Sequence, residues 1–101
     1  MPQLAVKSLL LRMHITDCYV VDKKTQRELA AFYGVGQATI SRYIKDSCYL
    51  IVERLKTICE DDVQLCAEKF VISIETVNYA INRVNQEMQY FNERRQDNAS
   101  N

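Results

Sequence analysis

Glycine and proline are nearly absent, two and one in a chain of 101 residues. So few helix breakers leave long uninterrupted segments, and with 48% apolar residues the chain can bury one modest core. A compact all-α protein of five to six helices is predicted. No apolar run reaches 18 residues, so no segment is expected to span a membrane. The opening MPQLAVKSLLLRMH is too short and too interrupted for a cleaved signal peptide, and a cytoplasmic protein is expected. Cys18, Cys48, Cys59 and Cys66 form no Cys-x-x-Cys pair and lie far apart. Reduced, packed thiols are therefore predicted rather than a zinc site. His14 is the sole histidine; it could touch a phosphate, but an ordinary helix position is the plainer reading. Paired histidine and carboxylates, a phosphate-cradling glycine loop and a metal-ligand cluster are all missing. No enzyme, cofactor or metal is expected.

Charge of one sign is missing as well: the net charge is zero, which taken alone counts against a nucleic-acid binder. The distribution says more. Residues 1–56 carry nine Lys/Arg against five Asp/Glu, a balance of +4, and residues 57–101 carry four against eight, a balance of −4. Such a dipolar molecule presents a basic end to DNA and turns an acidic end away.

The basic half contains TQRELAAFYGVGQATISRYIK, Thr25–Lys45. Thr25 and Glu28 have capping-box spacing. Leu29, Ala30 and Phe32 give the helix that follows an apolar face, and small Ala30 lets a second helix cross closely. Gly34 falls where the first helix must stop in a left-handed cap. Val35 plugs the corner. A second helix then starts near Gly36 or Gln37 and buries Ile40, Tyr43 and Ile44, leaving Gln37, Ala38, Ser41, Arg42 and Lys45 outward. Lys23 and Lys24 precede the capping box, where positive side chains and free helix amides converge on a phosphate; a solvated loop is the alternative.

The string GVGQATISRYI resembles the helix-turn-helix of small bacterial, plasmid and phage transcription regulators. Ala30, Gly34, Val35, Ile40 and Ile44 carry the match, which covers about a fifth of the chain. Gly36 departs from it, standing where the family usually has a capping serine. The resemblance implies a recognition helix, 37–46, in the major groove of double-stranded DNA. Gln37, Ala38, Ser41 and Arg42 would face base edges, and Lys23, Lys24, Thr25, Arg27 and Lys45 would contact phosphates.

Around this motif, residues 4–20 read as a preceding helix with a stripe of Leu4, Leu11, Ile15, Cys18 and Tyr19, widened by Leu9 and Leu10. Cys18–Val21 would also suit a short strand. Tyr49, Leu50, Ile51, Val52 and Leu55 predict a further helix at about 47–59. Residues 62–81 look like a second, degenerate copy of the motif at a shift of 37 residues. Ala67, Phe70, Ile72, Thr76, Val77 and Ile81 align with Ala30, Tyr33, Val35, Thr39, Ile40 and Ile44. Ser73 supplies the helix cap that Gly36 lacks. The outer face differs, with Ile74, Glu75, Asn78 and Tyr79, so this copy is expected either to have lost DNA reading or to form a second reading unit.

From Ile74 to about Glu93 the apolar residues Ile74, Val77, Ile81, Val84, Met88 and Phe91 recur at spacings of 3 and 4. That pattern predicts a dimerisation seam; an amphipathic helix on its own domain has the same spacing. The expected layout is a DNA-binding unit over 1–59, a second unit with a long dimerisation helix over 60–93, and a mobile tail over 94–101. The function expected is that of a homodimeric transcriptional repressor binding double-stranded DNA. Two other classes fit: an architectural, recombination or packaging DNA-binding subunit, and a helical protein-interaction adaptor without DNA. No residue identifies a small-molecule effector.

Overall fold

The computed structural model describes the backbone of residues 2–99 and the side chains of residues 10–93. Among the described residues the chain is all-α: α1 (Pro2–Val20), α2 (Gln26–Tyr33), α3 (Gln37–Thr57), α4 (Val63–Phe70) and α5 (Ile74–Ala99). No described helix is long and apolar enough to cross a membrane.

The molecule is built on α3, which packs against each of the other four helices. Ile40, Ile44, Cys48, Ile51 and Leu55 are buried along it at spacings of 4, 4, 3 and 4, one helical face. Leu29 and Ala30 close on this face from α2, Cys66 and Ala67 from α4, and Val77, Ala80 and Val84 from α5. From α1 come Met13 and Ile15, about 200° apart around the helix. Both are buried because α1 has neighbours on several sides, α2, α3 and α5. The α1 stripe read from the sequence is corrected accordingly. Leu10 and Leu11 are exposed, Met13 takes their place, and the side chains of Leu4 and Leu9 lie outside the described residues. Cys18–Val20 is helix, not strand.

Two helix boundaries also differ from the sequence reading. The helix expected at 37–46 and the helix expected at 47–59 are one element, α3. Ser47, a plausible start for a new helix, is fully buried, and its hydroxyl shares a hydrogen bond with that of Thr16 on α1 at 2.5 Å. With that side chain tied to α1 it does not cap, and nothing between Lys45 and Cys48 breaks the ladder. At the other end, α5 runs on to Ala99 rather than stopping at 93. The side chains of the expected tail, and residues 100 and 101 entirely, lie outside the described residues.

Cys48, Cys59 and Cys66 are buried free thiols. Burial pushes Cys48 up to about 11, and burial together with the neighbouring Cys59 does the same for Cys66. All three pack as small apolar residues.

Candidate nucleic-acid interface

The turn between α2 and α3 is assembled from local hydrogen bonds. Thr25 begins α2 with both halves of a capping box: the Glu28 amide donates to Thr25 Oγ1 at 3.0 Å, and the Thr25 amide donates to Glu28 Oε1 at 3.3 Å. The bonds from Thr25 hold the Glu28 carboxyl below its ordinary value, so it stays an anion at the positive end of the helix. Gly34 ends α2 at φ 68°, ψ 35°, the left-handed cap that glycine adopts without strain. The Val35 amide then returns to the Ala30 carbonyl at 3.1 Å.

Gly36 caps α3 at φ −73°, ψ 153° with no side-chain hydrogen bond. This backbone suits any residue, and a Cβ there meets only Thr39 Oγ1, at 3.9 Å. Gly36→Ser should therefore supply the missing cap and raise stability by roughly a few tenths of a kcal/mol. A small rise in the urea midpoint at unchanged slope is the expected reading.

The first turns of α3 expose Gln37, Ala38, Arg42 and Lys45, with Ser41 half-buried beside them. Ile40 and Ile44 point inward, fully buried. Lys23, Lys24, Thr25 and Arg27 are exposed at the entry to α2, and Lys23 takes a left-handed conformation at φ 59°. The nine residues read from the sequence as base- and phosphate-facing thus lie at or near the surface, around the α2 entry and on α3.

Arg12 stands outside the residues expected at this interface. From α1 its guanidinium lies 5.0 Å from the centre of the Tyr43 ring and 3.5 Å from Asp46 Oδ2. Both partners are on α3, so Arg12 braces the exposed helix from behind and neutralises the carboxylate next to Lys45. Its partners are more than 30 positions away in the chain, and no local sequence signal marks it.

Beside this face, a cleft of about 310 Å³ opens between α1 and α2, lined by His14, Cys18, Lys24, Glu28, Leu29, Phe32 and Tyr33. His14 Nε2 lies 3.7 Å from Cys18 Sγ across one turn of α1. Among the described residues no group of three metal-ligating side chains forms.

The second copy keeps the geometry of the first. A shift of 37 maps the bounds of α2 onto those of α4, and the start of α3 onto the start of α5. It also maps the end of α1 onto the end of α3, so α3 serves both units. Asp62 caps α4 as Thr25 caps α2, accepting from the Leu65 amide at 3.1 Å. The Ile72 amide returns to the Ala67 carbonyl at 3.0 Å, as Val35 does to Ala30. Val71 takes the left-handed cap of Gly34, φ 56°, ψ 49°. For a β-branched residue that conformation costs about 1–2 kcal/mol. Ser73 begins α5, accepting from the Glu75 amide at 3.1 Å. Asp17 on α1 supports this helix start, accepting from the Ser73 amide at 2.9 Å and the Thr76 hydroxyl at 2.6 Å.

The surface of the second copy is another matter. Where the first has Lys23, Lys24, Thr25 and Arg27, the second has Glu60, Asp61, Asp62 and Gln64. Tyr79, in the place of Arg42, is half-buried, packs edge-on to Tyr19 at 6.1 Å and accepts a hydrogen bond from Arg83 at 3.3 Å.

The seam read along α5 is split. Val77 and Val84 are buried in the chain's own core and are withdrawn from any dimer seam, because α5 lays this stripe on α3 and α4. Ile81 is half-buried against the same core. Ile74, Met88 and Phe91 are exposed. The Tyr49 hydroxyl on α3 donates to Glu87, and beyond it every described residue from Met88 to Glu93 is exposed.

Compared with known protein families, curated proteins and solved structures, the chain matches none.

Proposed function

We propose that this protein is a sequence-specific double-stranded DNA-binding regulator, a repressor that reads the major groove with the first turns of α3. One observation carries the reading: a glycine-capped turn fixes α3 so that Gln37, Ala38, Ser41 and Arg42 point out together, with five hydrogen-bonding or cationic residues alongside. Gln37 matches adenine N6/N7 and Arg42 matches guanine O6/N7. Lys23, Lys24, Thr25, Arg27 and Lys45 suit phosphates, which position a reading helix without specifying sequence. A homodimer belongs to the proposal because one short helix buries little surface, and small DNA readers gain affinity by pairing half-sites about 34 Å apart. The exposed end of α5, with Met88 and Phe91, supplies the joint of the DNA-bound dimer in this reading. An architectural or recombination role would use the same face, and a promoter reporter separates the two.

Selection of bound duplexes from a random pool tests the reading: a short palindromic consensus is expected, and no enrichment would sink it. Replacing Lys23 and Lys24 together with alanine should weaken binding to all duplexes alike. The slope of log K against log salt should shrink by about one to two units per subunit. A changed sequence preference at unchanged slope would show that the pair does not act on phosphates.

A further inference from the structure

The second copy preserves a costly turn yet inverts the charge around it. Its outward face carries apolar residues where the first copy is polar or has none: Leu65, Val71 and Ile74 are 42%, 88% and 47% exposed, and they replace Glu28, Gly34 and Gln37. Val71, Ile72 and Ile74 line a shallow groove with Gln64, Ala67 and Glu68. Glu68 lines it, and Glu60, Asp61, Asp62 and Glu75 are exposed on the same unit. An apolar centre with an acidic rim is repelled by phosphates and suits a protein surface with an apolar anchor and a basic rim.

The chain itself presents such a surface. Phe32 is 82% exposed on α2, stacked edge-on against Tyr33 at 4.9 Å, on the helix whose entry carries Lys23, Lys24 and Arg27. Phe32 lines its cleft beside Lys24 and Glu28, and exposed aromatic residues are enriched at the centres of interfaces. We infer that the acid-rimmed groove of the second unit docks the first unit of another copy, with Phe32 in the groove of Val71 and Ile74 and the lysines on Glu60 and Asp61. Two copies placed reciprocally make the contact twice. The contact covers the lysines that the proposed function assigns to phosphates, so DNA and the second copy exclude each other, and free protein is held off DNA. Only this competition rests on the DNA-binding reading; the contact itself is measured without DNA.

The test uses the full chain carrying Met88→Asp and Phe91→Asp, which removes the exposed end of α5 from consideration. Sedimentation is followed for this protein and for two charge reversals made in it. One is Lys23→Glu with Lys24→Glu, the other Glu60→Lys with Asp61→Lys. Lysine fits position 60, since Lys23 holds the same left-handed conformation in the first unit, and circular dichroism checks both folds. Each reversal alone should weaken self-association by at least about tenfold. An equimolar mixture should restore it, because each variant then meets opposite charge at both contacts. Salt should weaken the pairing. A monomer at hundreds of micromolar, or self-association indifferent to both reversals, would overturn the inference. If the mixture pairs as stated and the wild-type chain, diluted below its pairing concentration, binds no duplex, the contact stands and the DNA-binding reading falls.

Discussion

Arg42→Ala should weaken binding to the selected duplex by about 1–3 kcal/mol and relax preference at one base pair in each half-site. The exposed guanidinium has no ion-pair partner among the described residues, whereas Arg12 and Arg83 are held by Asp46 and Glu87. Truncation therefore removes little from the fold, and stability should stay within about 0.5 kcal/mol of the parent. The loss then belongs to binding. Its form separates the two roles that an exposed cation on α3 can have. A guanidinium on guanine O6/N7 makes paired hydrogen bonds that no other base offers, so its loss flattens one position of the consensus. A phosphate contact, the role assigned to Lys45, lowers affinity for every duplex equally. Repeating the selection with the variant decides between them, and an unchanged consensus would remove Arg42 from base reading.

The features legible in the sequence were those closed within a few residues. Thr25 and Glu28 satisfy each other three positions apart, and Gly34 answers a local need for positive φ, so both could be placed without knowing the rest of the chain. The 37-residue shift was visible for the same reason, since turn and cap positions repeat even where few residues are identical. What could not be read depends on distant partners. A separate helix was expected from about 47, yet Thr16, 31 positions earlier, engages Ser47 and α3 continues. Asp17 supports the start of α5 across more than 50 positions, and Arg12 reaches Tyr43 and Asp46 from another helix. The α5 seam failed differently. Spacings of 3 and 4 describe a helix facing its own core as well as one facing a partner, and α5 does the first as far as Val84. Localised charge inversion between the copies was present in the sequence from the start, but it acquires meaning only once the backbone bonds of the two turns superimpose.

The two halves of α5 should respond oppositely to the same kind of substitution. Val84→Asp places a carboxylate at a site 6% exposed, among apolar residues of α3 and α5. An unpaired buried charge of this kind costs about 3–5 kcal/mol, a large share of the 5–15 kcal/mol that holds a typical domain together. The urea midpoint should fall sharply, or the protein should fail to fold at all, and any loss of DNA binding would follow from that. Met88→Asp with Phe91→Asp puts the same charge on residues 55% and 61% exposed, beyond the Tyr49–Glu87 hydrogen bond to α3. Monomer stability should barely move. If the end of α5 joins two chains, sedimentation at low concentration should shift from dimer to monomer, and binding to a full palindrome should fall far more than binding to a half-site. A pair of variants that both unfold would mean that the end of α5 folds back on the core. A Met88/Phe91 variant that stays dimeric would place the joint elsewhere. A parent protein monomeric at tens of micromolar would leave each chain to engage DNA through one α3, and the reading of paired half-sites would fail with it.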